Sequence, residues 1–210
     1  MSMVNTLFAV AEMQEEKPII ENYNMRKLSV IQGINFWANN KNNRNNKIML
    51  IVTGVGINNI IISLSKELYF EVIGIGTLII NVGYAGAKGI DIGKVVCVKN
   101  SHCLEFPTKA NTGIINCVEL SSEEEGCDCY TSFDFVEKTK IEGKALFDME
   151  LAYIARFVYY KLYSIKIVSD NLDYNTFKEF NSDKAWRQVI EKIEKIRKEN
   201  CIHGIRQEPN

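Results

Sequence analysis

Short apolar runs that stop abruptly at glycine or acidic residues recur along this chain, and they limit what it can fold into more than any other feature. Residues 7–11 halt at Glu12, 48–53 at Gly54, 77–81 just before Gly83, and 165–168 at Ser169. Short apolar runs bounded by turn residues read as strands buried on both faces, and such strands alternate with helices in α/β domains. Helical patterns fall between them. Residues 13–23 form one helix, with Pro18 placed in its first turn. Gly54-Val55-Gly56 turns into a largely apolar helix through Leu68. A third begins near Asp148, with Leu151, Ile154, Ala155, Val158 and Leu162 on its buried side. The last carries Trp186, Val189, Ile190, Ile193 and Ile196 opposite Lys and Glu.

Strand, helix, strand implies a right-handed parallel crossover. Residues 27–37 read as one strand and 39–47 as an exposed hairpin tip. Residues 94–98 and 112–120 are further strands, which makes the sheet mixed. The 210 residues, 46% hydrophobic, suit a single domain spanning 1–210.

Charge and cysteine usage exclude several functions. A formal net charge of -1, with both signs interspersed, leaves no broad positive field for nucleic acid. The six cysteines form no CxxC pair, and His102 and His203 are the only histidines, so no metal site is expected. Cys127 and Cys129, beside Glu123, Glu124, Glu125 and Asp128, stay open between a metal-binding or redox loop and ordinary free thiols. No stretch approaches the ~18 apolar residues of a membrane helix, and the first apolar run meets Glu12 too soon for a signal segment. A cytoplasmic protein without membrane or nucleic-acid partners is expected.

In open α/β sheets ligands sit at the carboxyl ends of strands. The polar clusters there are 12–16, 53–59, 81–86 and 169–173; a fifth, Asp148-Met149-Glu150, opens a helix, where Asp148 is expected to act as a cap. In 53–59, Asn59 stands where GxGxxG needs its third glycine, and no Lys-Ser/Thr pair follows. Dinucleotide and P-loop binding are therefore not expected, nor is any cofactor.

Taken together, Ala11-Glu12-Met13-Gln14-Glu15-Glu16, Thr53-Gly54-Val55-Gly56, Asn81-Val82-Gly83-Tyr84-Ala85-Gly86, Phe147-Asp148-Met149-Glu150 and Val168-Ser169-Asp170-Asn171-Leu172-Asp173 resemble the nucleoside phosphorylase and nucleosidase superfamily. The resemblance is strongest to its methylthioadenosine/S-adenosylhomocysteine nucleosidase branch. It implies a three-layer α/β/α fold around a mixed, partly barrel-like sheet, a purine nucleoside as the small-molecule partner, and a homodimer. It makes Glu150 the carboxylate that accepts from the ribose hydroxyls, with Met149 packed on the sugar, and Asp170 the acid that protonates the base. Glu16 becomes the water-activating carboxylate. Phe135 and Val136 form the base pocket, while Tyr84, Ala85, Gly86, Ser169 and Lys166 complete the substrate-binding set.

That chemistry is coherent on its own terms. Breaking a glycosidic bond passes through an oxocarbenium-like state, which calls for an acid at the leaving base and negative charge near the sugar. Water is favoured over phosphate as nucleophile, because Asn81 stands where phosphorylases of the superfamily tend to carry arginine, and Glu16 would repel a phosphate dianion.

Two residues depart from the branch: Tyr84, where a small hydroxylated residue is usual and the ring either crowds the ribose pocket or replaces a contact, and Lys166, where arginine is usual. The alternatives are a phosphorylase using Lys166 or Lys88 for phosphate, and an inactive nucleoside-binding protein of the same fold. His102 and Phe106 are candidates for reading the 5′ substituent, across a dimer interface.

Overall fold

The computed structural model describes residues 5–31, 34–39, 47–56, 58–60, 77–104, 114–120, 126–158 and 161–203. Strand β1 (Thr6–Val10) is parallel both to β4 (Ile48–Val52) and to β5 (Leu78–Lys88). Outward from β4, β3 (Ile34–Asn39) and then β2 (Met25–Ile31) continue antiparallel. Residues 27–37 therefore contain two strands, because the apolar pattern on either side of positions 32 and 33 belongs to separate strands that pair with each other, Ile31 opposite Ile34.

Beyond β5 the sheet curls into a ring. β5 pairs along its length with parallel β10 (Leu162–Asp170), which is antiparallel to β6 (Val95–Leu104). β6 runs parallel to β8 (Cys127–Thr131), and β8 parallel to β9 (Ala145–Asp148). β9 returns antiparallel to the far end of β5, at Gly86 to Lys88. The result is a mixed sheet with a closed, barrel-like part. A further strand, β7 (Ile114–Glu119), pairs antiparallel with β6.

Strand alternation sorts the core into two layers. Phe8, Val10, Leu50, Ile80, Ile165 and Ile167 pack against Ile19 of α1 (Met13–Tyr23) and Trp186, Val189 and Ile193 of α4 (Asp183–His203). On the opposite face Leu7, Ala9, Met49, Ile51 and Ile79 pack with Leu151, Ile154 and Ala155 of α2 (Leu151–Phe157). A short α3 (Tyr174–Glu179) sits between β10 and α4. Among the described residues no helix is long and apolar enough to cross a membrane.

Several boundaries differ from the sequence reading. Pro18 lies inside α1 and not in its first turn. Helix α2 ends at Phe157, so Leu162, expected on the helix, opens β10. Most of the helix expected through Leu68 lies outside the described residues. β5 runs through Gly83 and Gly86, expected to be turn residues, because β10 pairs with it as far as Gly86. β8, β9 and α3 have no counterpart in the sequence reading; they are short, and their polar positions mask the period.

Asn81 is also a fold residue. It is buried, its Nδ2 donates to the Ala9 carbonyl at 3.1 Å, and its Oδ1 accepts from Ser164 Oγ at 2.9 Å. The side chain thus ties β5 to β1 on one edge and to β10 on the other. Asn81→Ala leaves buried polar groups unmatched and is expected to cost about 1–3 kcal/mol, measured as a lowered urea midpoint with unchanged m-value.

Candidate active site

The acidic clusters meet in one cavity of about 300 Å³, at the low end of the range for small-molecule sites. Its lining comes from the carboxyl ends of β1, β5 and β10, the residues that open α2, and α3. A broader hollow of about 650 Å³ lies behind α3 and the start of α4, but its lining holds none of the clustered acids.

Position within α1 decides which glutamate enters the cavity. Glu15 stands four residues before buried Ile19, on the same helix face, and is itself buried. Its Oε2 accepts from the backbone N–H groups of Ala11 at 2.8 Å and Glu12 at 3.0 Å, and its Oε1 from that of Tyr84 at 3.0 Å. Glu16 is turned about 100° further round the helix. Its Oε2 accepts from Trp37 Nε1 at 3.2 Å, and it does not line the cavity. Of the cluster 12–16, Glu12 and Glu15 therefore line the cavity, and Glu16, the residue expected from the sequence, does not.

Behind the cavity sits one buried ammonium. Lys166, 1% exposed, places Nζ 2.7 Å from Asp148 Oδ2. Asp148 Oδ2 also accepts from the N–H of Leu151, the first residue of α2, at 3.0 Å, although the N-cap residue of that helix is Glu150, and Oδ1 accepts from Thr131 Oγ1 at 2.6 Å. Lys166 does not itself line the cavity. Its expected place among the substrate contacts is thus corrected: it acts behind the acids because its β10 position faces the barrel interior, where Asp148 holds it.

Burial and mutual charge set the protonation of this group. Burial alone would depress the Lys166 ammonium, but Asp148, Cys129 and Glu150 outweigh it and hold its pKa above the ordinary 10.5. Burial pushes the Glu150 carboxyl above its usual 4.5, Asp148 adds to the shift, and Lys166 and the Gly56 N–H oppose it. Glu15 is raised too, by burial, against its backbone hydrogen bonds and Lys166. Three buried acids with one counter-charge cannot all ionise cheaply.

Glu150 Oε1 accepts from the Gly56 N–H at 3.0 Å, so the glycine turn after β4 holds an acid of the site. Met149 lies beside it on the lining. At the other end Asp170 is 1% exposed, with Oδ2 accepting from Ser169 Oγ at 2.7 Å and Oδ1 from the Leu172 N–H at 2.8 Å. Ser169 Oγ also lies 3.2 Å from the Ala85 carbonyl. Asp170 needs a glycine opposite: a Cβ on Gly86 would stand 2.8 Å from its Oδ1. A Cβ on Gly83 would likewise stand 2.9 Å from Glu15 Oε1.

An aromatic wall faces these acids. Phe135 meets Tyr174 edge-on at 5.4 Å and Phe177 at 6.2 Å, and Phe147 completes the lining. Val136 joins Phe135 in a small annex of about 30 Å³ beside Asp170. Among the described residues no lysine, arginine or histidine lines the cavity.

No protein-family model matches the sequence, and no curated protein matches it. Solved structures do. The 5′-methylthioadenosine/S-adenosylhomocysteine nucleosidase of Helicobacter pylori superposes with a TM-score of 0.72 at 16% identity, over 93% of this chain and 100% of that one. The S-adenosylhomocysteine nucleosidase of Streptococcus pyogenes, in complex with 5-methylthiotubericidin, gives 0.71 at 16% identity, over 90% and 95%. Futalosine hydrolase of Helicobacter pylori gives 0.70 at 16% identity, over 88% and 93%. The chain has the nucleosidase fold. Identities of this size establish the fold alone.

Within that nucleosidase fold, Met149, Glu150, Phe135, Tyr84, Ala85, Gly86, Ser169 and Asp170 come together on the cavity, and Val136 on its annex. Tyr84 lines the cavity while its hydroxyl lies 2.9 Å from Ser182 Oγ and its ring packs edge-on against Phe180 at 5.9 Å. His102 stacks on Tyr130 at 4.6 Å with Nε2 3.1 Å from Asp128 Oδ2, away from the cavity lining. Phe106 lies outside the described residues.

Lys88 Nζ donates to the Ile141 carbonyl at 2.7 Å. Cys129 is fully buried, and burial, then Asp148, pushes its thiol pKa well up, which suits an inert thiol. No His, Cys, Asp and Glu group among the described residues is arranged to hold a metal ion. Glu12, Glu15, Val55, Phe147, Tyr174 and Phe177 line the cavity without a role from the sequence; Glu15 carried a signal, its four-residue spacing from Ile19.

The raised acids give a pH dependence. A carboxyl whose folded pKa exceeds its unfolded value stabilises the protein below the unfolded value, and that contribution is lost as pH rises through the folded one. Stability is therefore expected to fall from pH 5 toward mildly alkaline pH. Glu150→Gln, whose amide oxygen still accepts from Gly56, flattens the slope by up to about 1 kcal/mol per pH unit, read from urea unfolding at several pH values.

Proposed function

We propose that the protein hydrolyses the N-glycosidic bond of a purine nucleoside, a 5′-modified adenosine such as methylthioadenosine or S-adenosylhomocysteine. The observation that carries this reading is the convergence of Asp170, Glu150 and Glu15 on one cavity that no cation lines among the described residues. The base stacks on the wall of Phe135 and Phe177, within reach of the Asp170 carboxyl. Asp170 gives its proton to the departing base. Glu150 accepts from the ribose hydroxyls, and the negative charge that the buried acids share stabilises an oxocarbenium-like sugar.

Glu15 is the base that activates water. Its carboxylate, held by three backbone N–H groups, faces the cavity, and a proton taken from water reduces the negative charge of the buried cluster. Phosphate is disfavoured as the nucleophile. Lys166 is committed to Asp148 and Lys88 to a carbonyl, so neither proposed phosphate ligand presents a cation to the cavity. A dianion would meet acids on every polar side.

Three variants test the assignment by release of free base from methylthioadenosine and adenosine. Asp170→Asn and Glu15→Gln are each expected to lower kcat by 100-fold or more, in the range of about 10²–10⁴ for a lost general acid or base. Glu16→Gln is expected to stay within about threefold of the unmodified protein. Near-normal turnover in Asp170→Asn, or a larger loss in Glu16→Gln than in Glu15→Gln, would sink the assignment.

A further inference from the structure

The cavity is buried at one end and open at the other. Asp170, Ser169, Glu15 and Glu150 are all under 9% exposed, whereas Val55 and Tyr174 on the same lining are 40% and 46% exposed. Glu12, half-buried, lines the cavity with them. Glu12, Val55 and Tyr174 therefore form its mouth. With the base on Asp170 and the ribose on Glu150, the 5′ arm of a nucleoside is the part left facing that mouth; this placement rests on the function proposed above.

Glu12 is the N-cap residue of α1, a position that favours Ser, Thr, Asp or Asn. It shares a capping box with Glu15: its side chain accepts from the Glu15 backbone N–H, and its own backbone N–H donates to Glu15 Oε2 at 3.0 Å. A shorter acceptor such as Ser would serve that cap, whereas the carboxylate of glutamate adds a charge at the entrance of a cavity that already holds Glu15, Asp148, Glu150 and Asp170.

We propose that Glu12 is a specificity-determining residue that sorts 5′ substituents by net charge: it draws in a substituent carrying an ammonium group and turns away one carrying phosphate. A unit charge several ångströms from a half-screened carboxylate gains or loses enough for about a tenfold change in affinity. Lys166 is held by Asp148 and does not line the cavity, so it does not screen the mouth directly.

The test measures binding of 5′-amino-5′-deoxyadenosine, methylthioadenosine and adenosine 5′-monophosphate by calorimetry to the full chain, with base release followed in parallel. The amino compound is expected to bind at least about tenfold more tightly than the monophosphate. Glu12→Gln shrinks that ratio about tenfold, and Glu12→Lys reverses the order.

Raising the salt concentration shrinks the ratio in the unmodified protein, a readout that no folding defect of a variant can mimic. A ratio near one, a ratio indifferent to both salt and Glu12→Gln, or no binding of any of the three compounds overturns the proposal. The charge ranking appearing without base release supports it and counts against hydrolysis alone.

Discussion

One buried ion pair, Lys166 with Asp148 at 2.7 Å, is the contact on which the rest of the site depends. An ammonium withdrawn from water is expensive unless it is paired and hydrogen-bonded, and so is a carboxylate. Here the pair is joined by Thr131 Oγ1 and the Leu151 N–H, which also donate to Asp148 and tie β8, β9, β10 and α2 to one point. The same ammonium offsets Glu150 and Glu15 electrostatically. Removing one charge of such a pair costs about 3–5 kcal/mol, so this contact holds strands together as well as setting protonation.

The strand pairing makes that arrangement possible. β5 and β10 run parallel in one register from Ile79 to Ala85, which places Lys166 opposite Gly83, and a shift between Val168 and Asp170 then places Asp170 opposite Gly86. Both glycines stand where an acid comes close, and a Cβ at either would lie under 3 Å from a carboxylate oxygen. The glycines of 81–86 therefore make room for acids within a continuous strand. Sheet curvature then carries β9 round to the end of β5, bringing Glu150 to the acids of α1 and β10.

Much of this was legible in the sequence. The apolar runs marked β1, β4 and β10, and the order of the acidic clusters marked the cavity through Glu150 and Asp170. What was hidden was hidden for physical reasons. Choosing between Glu15 and Glu16 needs the helix phase, and the informative residue was Ile19, four positions on from Glu15. Lys166 looked like a ligand contact because its partner, Asp148, is distant in sequence and looked like a simple cap. Asp148 does accept from the Leu151 N–H at the start of α2, but its pairing with Lys166 needs the β8–β9–β10 geometry. Tyr174 and Phe177 belong to a six-residue helix too short to show a period.

The central claim is that these acids direct water, and not phosphate, to the sugar. The most direct measurement is mass spectrometry of the sugar released from methylthioadenosine in ¹⁸O-labelled water with phosphate present. The account predicts free adenine and one ¹⁸O in the C1 hydroxyl of the sugar, at a rate independent of phosphate. A sugar 1-phosphate, or base release that requires phosphate, would contradict it.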